Sequence, residues 1–165
     1  MGASDLHLRP YQRADLEAMF RLDETCFDER FRFSRSMVRR FAEAPNAYVV
    51  VGESGEQFAG FCIMHLTEND RGIRGYIVTL DVEPEFRLQG LASRLMRTVE
   101  KKALAEGAGE MTLHVFTGNE GAIRFYEREG YVLKGSVRNF YGSGVDALVY
   151  AKALSWVKEQ LTANS

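Results

Sequence analysis

The sequence has few of the residues that cross-link or interrupt small proteins. Among its 165 residues are two cysteines, Cys26 and Cys62, and three prolines. Neither cysteine has a neighbour at C-x-x-C or zinc-ribbon spacing, so we expect reduced thiols, no disulfide framework and no metal site. Repeats, low-complexity segments and linkers rich in Pro, Gly or Ser are also missing. We therefore predict a single domain over residues 1–165.

Long hydrophobic stretches and an excess of charge of one sign are missing too. The longest apolar run, Phe58 to Met64, falls far short of the roughly 20 residues that span a membrane. Charges at Asp5 and Arg9 interrupt the N-terminus, which argues against a signal peptide. The formal net charge of −2 gives no global attraction to nucleic acid or anionic lipid. We expect a cytoplasmic protein that binds neither nucleic acid nor membranes.

What the sequence does have is the composition of a folded domain. Hydrophobic residues make up 45% and charged residues 27%, close to the globular average, which excludes a disordered chain. Periodicity, caps and turns predict four helices, over residues 15–26, 34–44, 91–106 and 120–129. Strand patterns occur at 6–9, 48–52, 58–66, 75–82, 111–116, 131–137 and before Leu154. The strands before Pro84 predict an antiparallel meander, and the strand–helix alternation after it predicts parallel pairing.

The segment after Pro84 is the first with chemical meaning. Arg87, Gly90 and Ala92 form an R-x-x-G-x-A pattern at the start of the longest predicted helix. A helix N-terminus directs N–H groups outward, and glycine lets the backbone approach a ligand, so a diphosphate would fit here. The chain contains neither a P-loop nor a G-x-G-x-x-G fingerprint. Taken alone, the pattern also fits an ordinary surface helix.

Three segments together carry a family resemblance. VEPEFRLQGLASRLM, followed by LHVFTGNEGAIRFYEREGY, resembles the acetyl-CoA-binding core of the Gcn5-related N-acetyltransferase (GNAT) superfamily, whose hallmark is [QR]-x-x-G-x-[GA]. With GYIVTLDVEPEFRLQG and VRNFYGSGVDA, it looks like the protein N-terminal acetyltransferases, including the bacterial ribosomal-protein alanine enzymes. The resemblance implies a mixed α/β, mostly antiparallel twisted sheet of about six to seven strands, about four helices and a central strand fork. A short C-terminal helix or tail would occupy residues 155–165.

The same resemblance implies how acetyl-CoA binds. The main chain of one segment would hold the diphosphate: Arg87, Leu88, Gln89, Gly90, Leu91, Ala92 and Ser93. Leu80 and Val82 would pair with the pantetheine arm, and an N–H near Leu80 would polarise the thioester carbonyl. Asn119 and Tyr126 match family positions near the cofactor sulfur.

Candidate catalytic residues follow from the chemistry. An α-amine with a pKa of roughly 7.7–8.0 must lose a proton before it attacks, and the unperturbed pKa of histidine suits that task. By resemblance His114 is the base, with Tyr76 holding a water or sharing the role, a pairing found in a eukaryotic branch of these enzymes. Many bacterial alanine acetyltransferases have glutamate in place of the histidine. Tyr126 would protonate the leaving thiolate.

Alternatives remain for these residues. Without the resemblance, His114 would also fit the role of a core histidine that is hydrogen-bonded to backbone carbonyls. Tyr126 would also fit the role of a tyrosine that packs its helix against the sheet. Strand alternation directs Asp81 away from the face shared by Tyr76, Val78 and Leu80, so we interpret Asp81 as structural.

Aromatic residues in two regions resemble the walls that hold a peptide's first residues. The substrate-binding candidates are Phe27, Phe31, Tyr76, Val78, Phe140 and Tyr141, whereas Phe33 is left out. The alternative is that the aromatic residues only close the core. A basic stretch follows Phe27 and contains Arg30, Arg32, Arg35, Arg39 and Arg40. It would be a solvated face, or a contact for acidic substrate residues, a ribosomal surface or the cofactor phosphate.

The sequence therefore predicts an acetyl-CoA-dependent N-acetyltransferase. Its expected acceptor is the α-amine of a protein or peptide N-terminus, including a ribosomal protein, attacked directly in a ternary complex. One alternative is an acetyltransferase for a small amine such as a polyamine, amino acid or drug, and another is a non-catalytic acyl-CoA-binding regulatory module. The expected assembly is a monomer or homodimer.

Overall fold

A computed structural model describes residues 5–155, and this part of the chain contains seven strands and four helices. The strands are β1 (Leu6–Pro10), β2 (Ala47–Ser54), β3 (Gln57–Asn69), β4 (Gly72–Val82), β5 (Ala108–Phe116), β6 (Val132–Val137) and β7 (Ala147–Ala153). The helices are α1 (Leu16–Cys26), α2 (Arg35–Ala42), α3 (Leu91–Ala105) and α4 (Glu120–Arg128). Beyond Ser155, the predicted C-terminal helix or tail lies outside the described residues.

The strands form one sheet in the order β1-β2-β3-β4-β5-β7-β6. Neighbours β1 and β2, β2 and β3, β5 and β7, and β6 and β7 are antiparallel, whereas β4 and β5 are parallel. This confirms the mixed, mostly antiparallel fold. One expectation differs: β7 lies between β5 and β6, so β6 does not extend the parallel pairing. Strand order along the chain does not reveal this insertion, because the last strand joins both neighbours through antiparallel ladders.

The described chain divides into two compact units, and the single-domain boundary stays a prediction. The first unit holds the described residues up to His65 together with Val78–Val99. Its core joins the inward faces of α1 and α2 to β2 and β3 through Met19, Leu22, Val38, Ala42, Val49, Val51, Phe61 and Ile63. The hydroxyl of Ser34 accepts a hydrogen bond of 3.2 Å from the Met37 N–H, which caps α2 as predicted.

The second unit holds Leu66–Ile77 and the described residues from Glu100 onward. Asn119 caps α4, because its side-chain oxygen accepts from the Ala122 N–H at 3.2 Å. The buried carboxylate of Glu100, a residue of α3, accepts from the Tyr131 hydroxyl at 2.7 Å and from Lys152 Nζ at 3.0 Å. These bonds tie α3 to β7 and to the residue before β6.

The ladder between β4 and β5 covers only the first part of each strand. Its register runs from Ile73 opposite Ala108 to Tyr76 opposite Thr112. Strand β4 continues to Val82 and β5 to Phe116. The paired register therefore ends at Tyr76, and the strand fork beyond it stays a prediction.

Candidate active site

The segment from residue 87 to 93 leads into the N-terminus of α3. Leu88 and Gly90 both have left-handed φ values, 65° and 83°, and Leu88 is fully exposed. A Cβ added at Gly90 would meet nothing within 4 Å, so this position borders open space. Helix α3 begins at Leu91, and N–H groups in the first turn of a helix have no acceptor within the helix. These features fit the binding of a diphosphate.

Strand β4 alternates as predicted where it approaches this segment. Ile77, Thr79 and Asp81 are buried, whereas Tyr76, Val78 and Leu80 are half-buried. At the strand's end, the Val82 carbonyl accepts from Arg87 Nε at 3.1 Å and from the Cys26 thiol at 3.6 Å. The Arg87 guanidinium also donates to Cys26 Sγ at 3.4 Å. The side chain of Arg87 thus holds the end of β4.

In the second unit, Tyr76 and His114 form a hydrogen-bonded pair. The Tyr76 hydroxyl oxygen lies 2.8 Å from His114 Nδ1, and the rings meet edge to face with centroids 5.6 Å apart. Burial lowers the pKa of His114 below its usual 6.5 and raises the pKa of Tyr76. The ring of His114 is therefore neutral at pH 7 and able to accept a proton.

Phe140 covers the other side of this pair. Its ring stacks on the His114 imidazole at 4.1 Å between centroids, with the planes 9° apart, and Tyr141 packs edge-on against Phe140 at 4.9 Å. Burial raises the pKa of Tyr141 to about 12, with the neighbouring Tyr76 as a further cause. Four predicted residues thus come together: Tyr76, His114, Phe140 and Tyr141.

Two residues that sequence reasoning missed shape the turn that carries Phe140. Asn139 has a φ of 58°, and its side-chain oxygen accepts from the Gly144 N–H at 2.7 Å. The Asp146 carboxylate accepts from the Asn139 N–H at 2.8 Å. The N-F-Y-G-S-G-V-D sequence carries this signal, because Asn and Asp bond to nearby backbone in turns and Asn tolerates left-handed φ.

Tyr126 of α4 and Asn119, which precedes that helix, have packing and capping contacts. Tyr126 packs against Phe125 and Tyr131, with ring centroids 5.3 and 5.9 Å away. The side chain of Asn119 is the helix cap. Their contacts with cofactor and leaving group stay predictions.

In the first unit, Phe27 and Phe31 lie in the loop between α1 and α2, residues 27–34, and both are half-buried. The Phe31 N–H donates to the Asp28 carbonyl at 3.0 Å, and the Arg30 guanidinium lies 5.0 Å from the Phe31 ring centroid. Phe33, which is not among the substrate-binding candidates, packs against Phe41 at 5.1 Å between ring centroids. That contact is with the core.

Three arginines of the basic stretch have carboxylate partners nearby. Arg30 pairs with Asp28 at 3.1 Å, Arg35 with Glu17 at 3.0 Å and Arg39 with Glu43 at 3.2 Å. Arg32 donates to the Phe27 carbonyl at 2.8 Å, and Arg40 lies over the Phe41 ring. The ion pairs favour a solvated, internally neutralised face over an anion-binding patch.

Solved structures with the same fold come from several kingdoms. The ribosomal-protein-S18-alanine N-acetyltransferase of Escherichia coli superposes with a TM-score of 0.79 at 20% identity, covering 91% of this chain and 94% of that one. Arabidopsis thaliana Naa50, solved with the bisubstrate analogue CoA-Ac-MVNAL, gives 0.78 at 24% identity and covers 91% and 99%. At these identities the likeness shows the fold.

Sequence relatives and a family model give the assignment. N-alpha-acetyltransferase 30 of Schizosaccharomyces pombe is 29% identical over 86% of this chain and 93% of its own length. The catalytic subunit NAA20 of the N-terminal acetyltransferase B complex of Arabidopsis thaliana is 30% identical over 69% of this chain and 66% of its own. As to membrane insertion, none of the helices within residues 5–155 has the length and hydrophobicity that a membrane span requires. Residues 16–131 match the acetyltransferase (GNAT) family, so the chain belongs to that family and is an N-acetyltransferase that uses acetyl-CoA.

Proposed function

We propose that the protein transfers the acetyl group of acetyl-CoA to the N-terminal α-amine of a protein or peptide. The observation that carries this proposal is the Tyr76–His114 pair beneath the stacked ring of Phe140. It supplies a neutral base in a half-buried aromatic setting, suited to an amine that must lose a proton before attack. Relatives named as N-alpha-acetyltransferases support the same acceptor.

The 2.8 Å bond in this pair sets the route of the proton. A phenol with a pKa near 10 is a stronger donor than a neutral imidazole N–H, and an imidazole nitrogen is a strong acceptor. The Tyr76 hydroxyl therefore donates to Nδ1, and the ring carries its own proton on Nε2. Before the amine attacks, the proton of its ammonium form passes to the Tyr76 oxygen while the Tyr76 proton passes to Nδ1. His114 is the base, and Tyr76 shares the role as a relay.

The acetyl donor would be bound mainly by backbone. The N–H groups of residues 87–93 would hold the diphosphate at the start of α3, next to the open space at Gly90. Leu80 and Val82 would contact the pantetheine arm; because the Val82 carbonyl already accepts two donors, its contribution would be its N–H. Asn119 and Tyr126 would act near the sulfur, with Tyr126 protonating the departing thiolate.

The peptide would be held by aromatic side chains. Phe140 and Tyr141 would flank the amine, and the Tyr141 hydroxyl, kept protonated by its raised pKa, would donate to a peptide carbonyl. Val78 is a further candidate for substrate binding. Phe27 and Phe31 would pack against the first residues of the peptide. Direct attack in a ternary complex needs no covalent enzyme intermediate.

Incubation with acetyl-CoA and a panel of peptides that differ in their first two residues, with thiol release as the readout, tests the proposal. A matched panel contains the same peptides with blocked N-termini, along with polyamines and free amino acids. Turnover restricted to free α-amines of peptides is the expected result. Faster acetylation of a small amine would favour the small-molecule alternative, and tight acetyl-CoA binding without turnover would favour the regulatory module. Cytoplasmic location, a ribosomal-protein substrate and a monomeric or homodimeric state remain predictions.

A further inference from the structure

Two carboxyl groups are buried in the first unit. Asp23 on α1 and Asp81 near the end of β4 are each 1% exposed. One oxygen of each has a donor. Asp23 Oδ2 accepts from the Phe33 N–H at 2.8 Å, and Asp81 Oδ1 accepts from the Thr79 hydroxyl. Through the first of these bonds, Asp23 anchors the loop of residues 27–34.

Each of the two aspartates has a second carboxylate oxygen, and a buried oxygen of this kind needs a hydrogen-bond donor. Asp23 Oδ1 and Asp81 Oδ2 are buried and have no donor among the described residues. Yet the two carboxyl groups lie within hydrogen-bonding reach of each other. Two ionised carboxylates offer only acceptors, so a bond between them requires one proton. Without it, two negative charges would face each other in the protein interior, which is strongly unfavourable.

The charged groups around the pair do not supply the missing donor. Arg32 of the loop and Glu24 of α1 act on Asp23 from a distance, with opposite signs, and Arg87 acts on Asp81. Arg32 donates to the Phe27 carbonyl, and Arg87 donates to the Val82 carbonyl and to Cys26 Sγ.

The Cys26 thiol is a further titratable group near Asp81. Burial, with Asp81 as a further cause, raises the pKa of Cys26 to about 11, so the thiol is neutral at pH 7. Burial raises the pKa of both aspartates, and that of Asp81 most. The pair therefore holds one proton to higher pH than an isolated aspartate does.

We propose that Asp23 and Asp81 share one proton, and that this bond fixes the loop of residues 27–34 relative to the end of β4. The two aspartates are positioning residues: Asp81 holds the Asp23 carboxyl in the orientation in which it accepts from the Phe33 N–H. Insofar as it concerns the peptide, the role rests on the proposed function, because Phe27 and Phe31 lie in this loop. Loss of the proton at alkaline pH turns the bond into a repulsion and releases the loop.

The sign of the pH effect on stability follows from linkage. In the unfolded chain an aspartate has a pKa of about 3.9, whereas the folded pair holds one proton to much higher pH. The folded state binds more protons between these values, so stability falls as pH rises from about 4 through the folded pKa. Above the folded pKa the difference no longer changes with pH.

Single amide substitutions test the shared proton. In Asp81→Asn the amide oxygen accepts from Thr79, and the NH₂ group donates to Asp23 where the proton lay; Asp23→Asn is the mirror case. Each single variant should fold, and its unfolding temperature should change less between pH 5 and pH 9 than that of the wild type. The double variant turns two NH₂ groups towards each other and should lose several degrees at all pH values. Asp70→Asn, at an exposed aspartate, is the control and should behave as the wild type.

Hydrogen exchange of the Phe33 amide tests the positioning role without any substrate. After correction for intrinsic exchange, wild-type protection should fall by about tenfold or more from pH 6 to pH 9, and Asp81→Asn should keep its protection. The KM for a peptide substrate should rise over the same range in the wild type alone. Single variants that keep the wild-type pH slope would overturn the shared proton, and unchanged Phe33 protection would overturn the positioning role. Absence of peptide turnover would refute the proposed function but leave both stability and exchange readouts intact.

Discussion

The Tyr76 hydroxyl and Nδ1 of His114 lie 2.8 Å apart within a cluster that also contains the stacked ring of Phe140. One residue comes from β4 and the other from β5, near the last paired residues of these two strands. The pair thus sits where a parallel ladder ends, and two backbone segments fix its geometry. This hydrogen bond couples the protonation of the two side chains, so each should depend on the other in catalysis.

Removing either member of the pair should break the same proton route. We expect Tyr76→Phe and His114→Gln each to lower kcat by about 10²-fold or more, and the double variant to be no slower than the slower single variant. Steady-state kinetics on a peptide substrate, combined as a double-mutant cycle, measure this coupling. A Tyr76→Phe variant with nearly wild-type kcat would show instead that Nε2 of His114 takes the proton directly.

The lowered pKa of His114 predicts the pH profile of the wild type. A base works in its deprotonated form, so kcat should rise with pH through a pKa below 6.5 and level off by neutral pH. His114→Gln should lack this rise. Stopped turnover assays from pH 5 to pH 8 at saturating peptide and acetyl-CoA measure the profile. A wild-type rise centred well above pH 7 would contradict a buried, neutral imidazole.

The stacked ring of Phe140 should set the pKa of His114. Phe140→Ala exposes one face of the imidazole, so the His114 pKa should move up towards 6.5 and the rise of kcat should shift to higher pH. Phe140→Tyr retains the stacked ring and is the matched control, with a profile close to that of the wild type. Titration of the His114 resonance by NMR gives the same pKa without turnover. An unchanged titration in Phe140→Ala would show that groups other than Phe140 desolvate the ring.

Sequence patterns that span a few residues predicted most of the helices and strands. They did not predict contacts between residues that are far apart in the chain. Ser34 and Asn119 were identified as caps and act as caps, because capping depends on residues three positions apart. The position of β7 between β5 and β6 and the meeting of Asp23 with Asp81 depend on residues tens of positions apart. The pairing of Tyr76 with His114 was expected from the family resemblance, but the stacking of Phe140 on that histidine was not.

Backbone conformation at residue 90 should matter more than side-chain volume. Alanine at Gly90 meets no neighbouring atom but must adopt a φ of 83°, so Gly90→Ala should lower the free energy of unfolding by about 1–2 kcal/mol or shift the loop. If residues 87–93 hold the diphosphate, the KM for acetyl-CoA should rise several-fold while the peptide KM stays constant. Gly121→Ala is the control: it lies in α4 with equally open space around it, and should stabilise by up to about 1 kcal/mol. Equal acetyl-CoA KM values for both variants would place the diphosphate elsewhere.

The buried carboxylate of Glu100 should make Lys152 indispensable to stability. Its ammonium, 3.0 Å away and itself largely buried, neutralises a charge that is almost fully removed from water. Lys152→Met should therefore cost about 3–5 kcal/mol, because an uncompensated carboxylate remains. Tyr131→Phe, which removes one hydroxyl donor at 2.7 Å but leaves the ion pair, should cost about 1.5–3 kcal/mol. Urea unfolding at pH 7 measures both.

The decisive comparison is the double variant Glu100→Gln/Lys152→Met. It removes both charges, and the glutamine oxygen still accepts from Tyr131. We expect it to recover most of the stability lost in Lys152→Met alone, since the cost lies in the unpaired charge rather than in the missing ion pair. If the double variant is as unstable as Lys152→Met, the loss comes instead from the packing of the lysine stem against Tyr131, whose ring centroid lies 5.7 Å from Nζ.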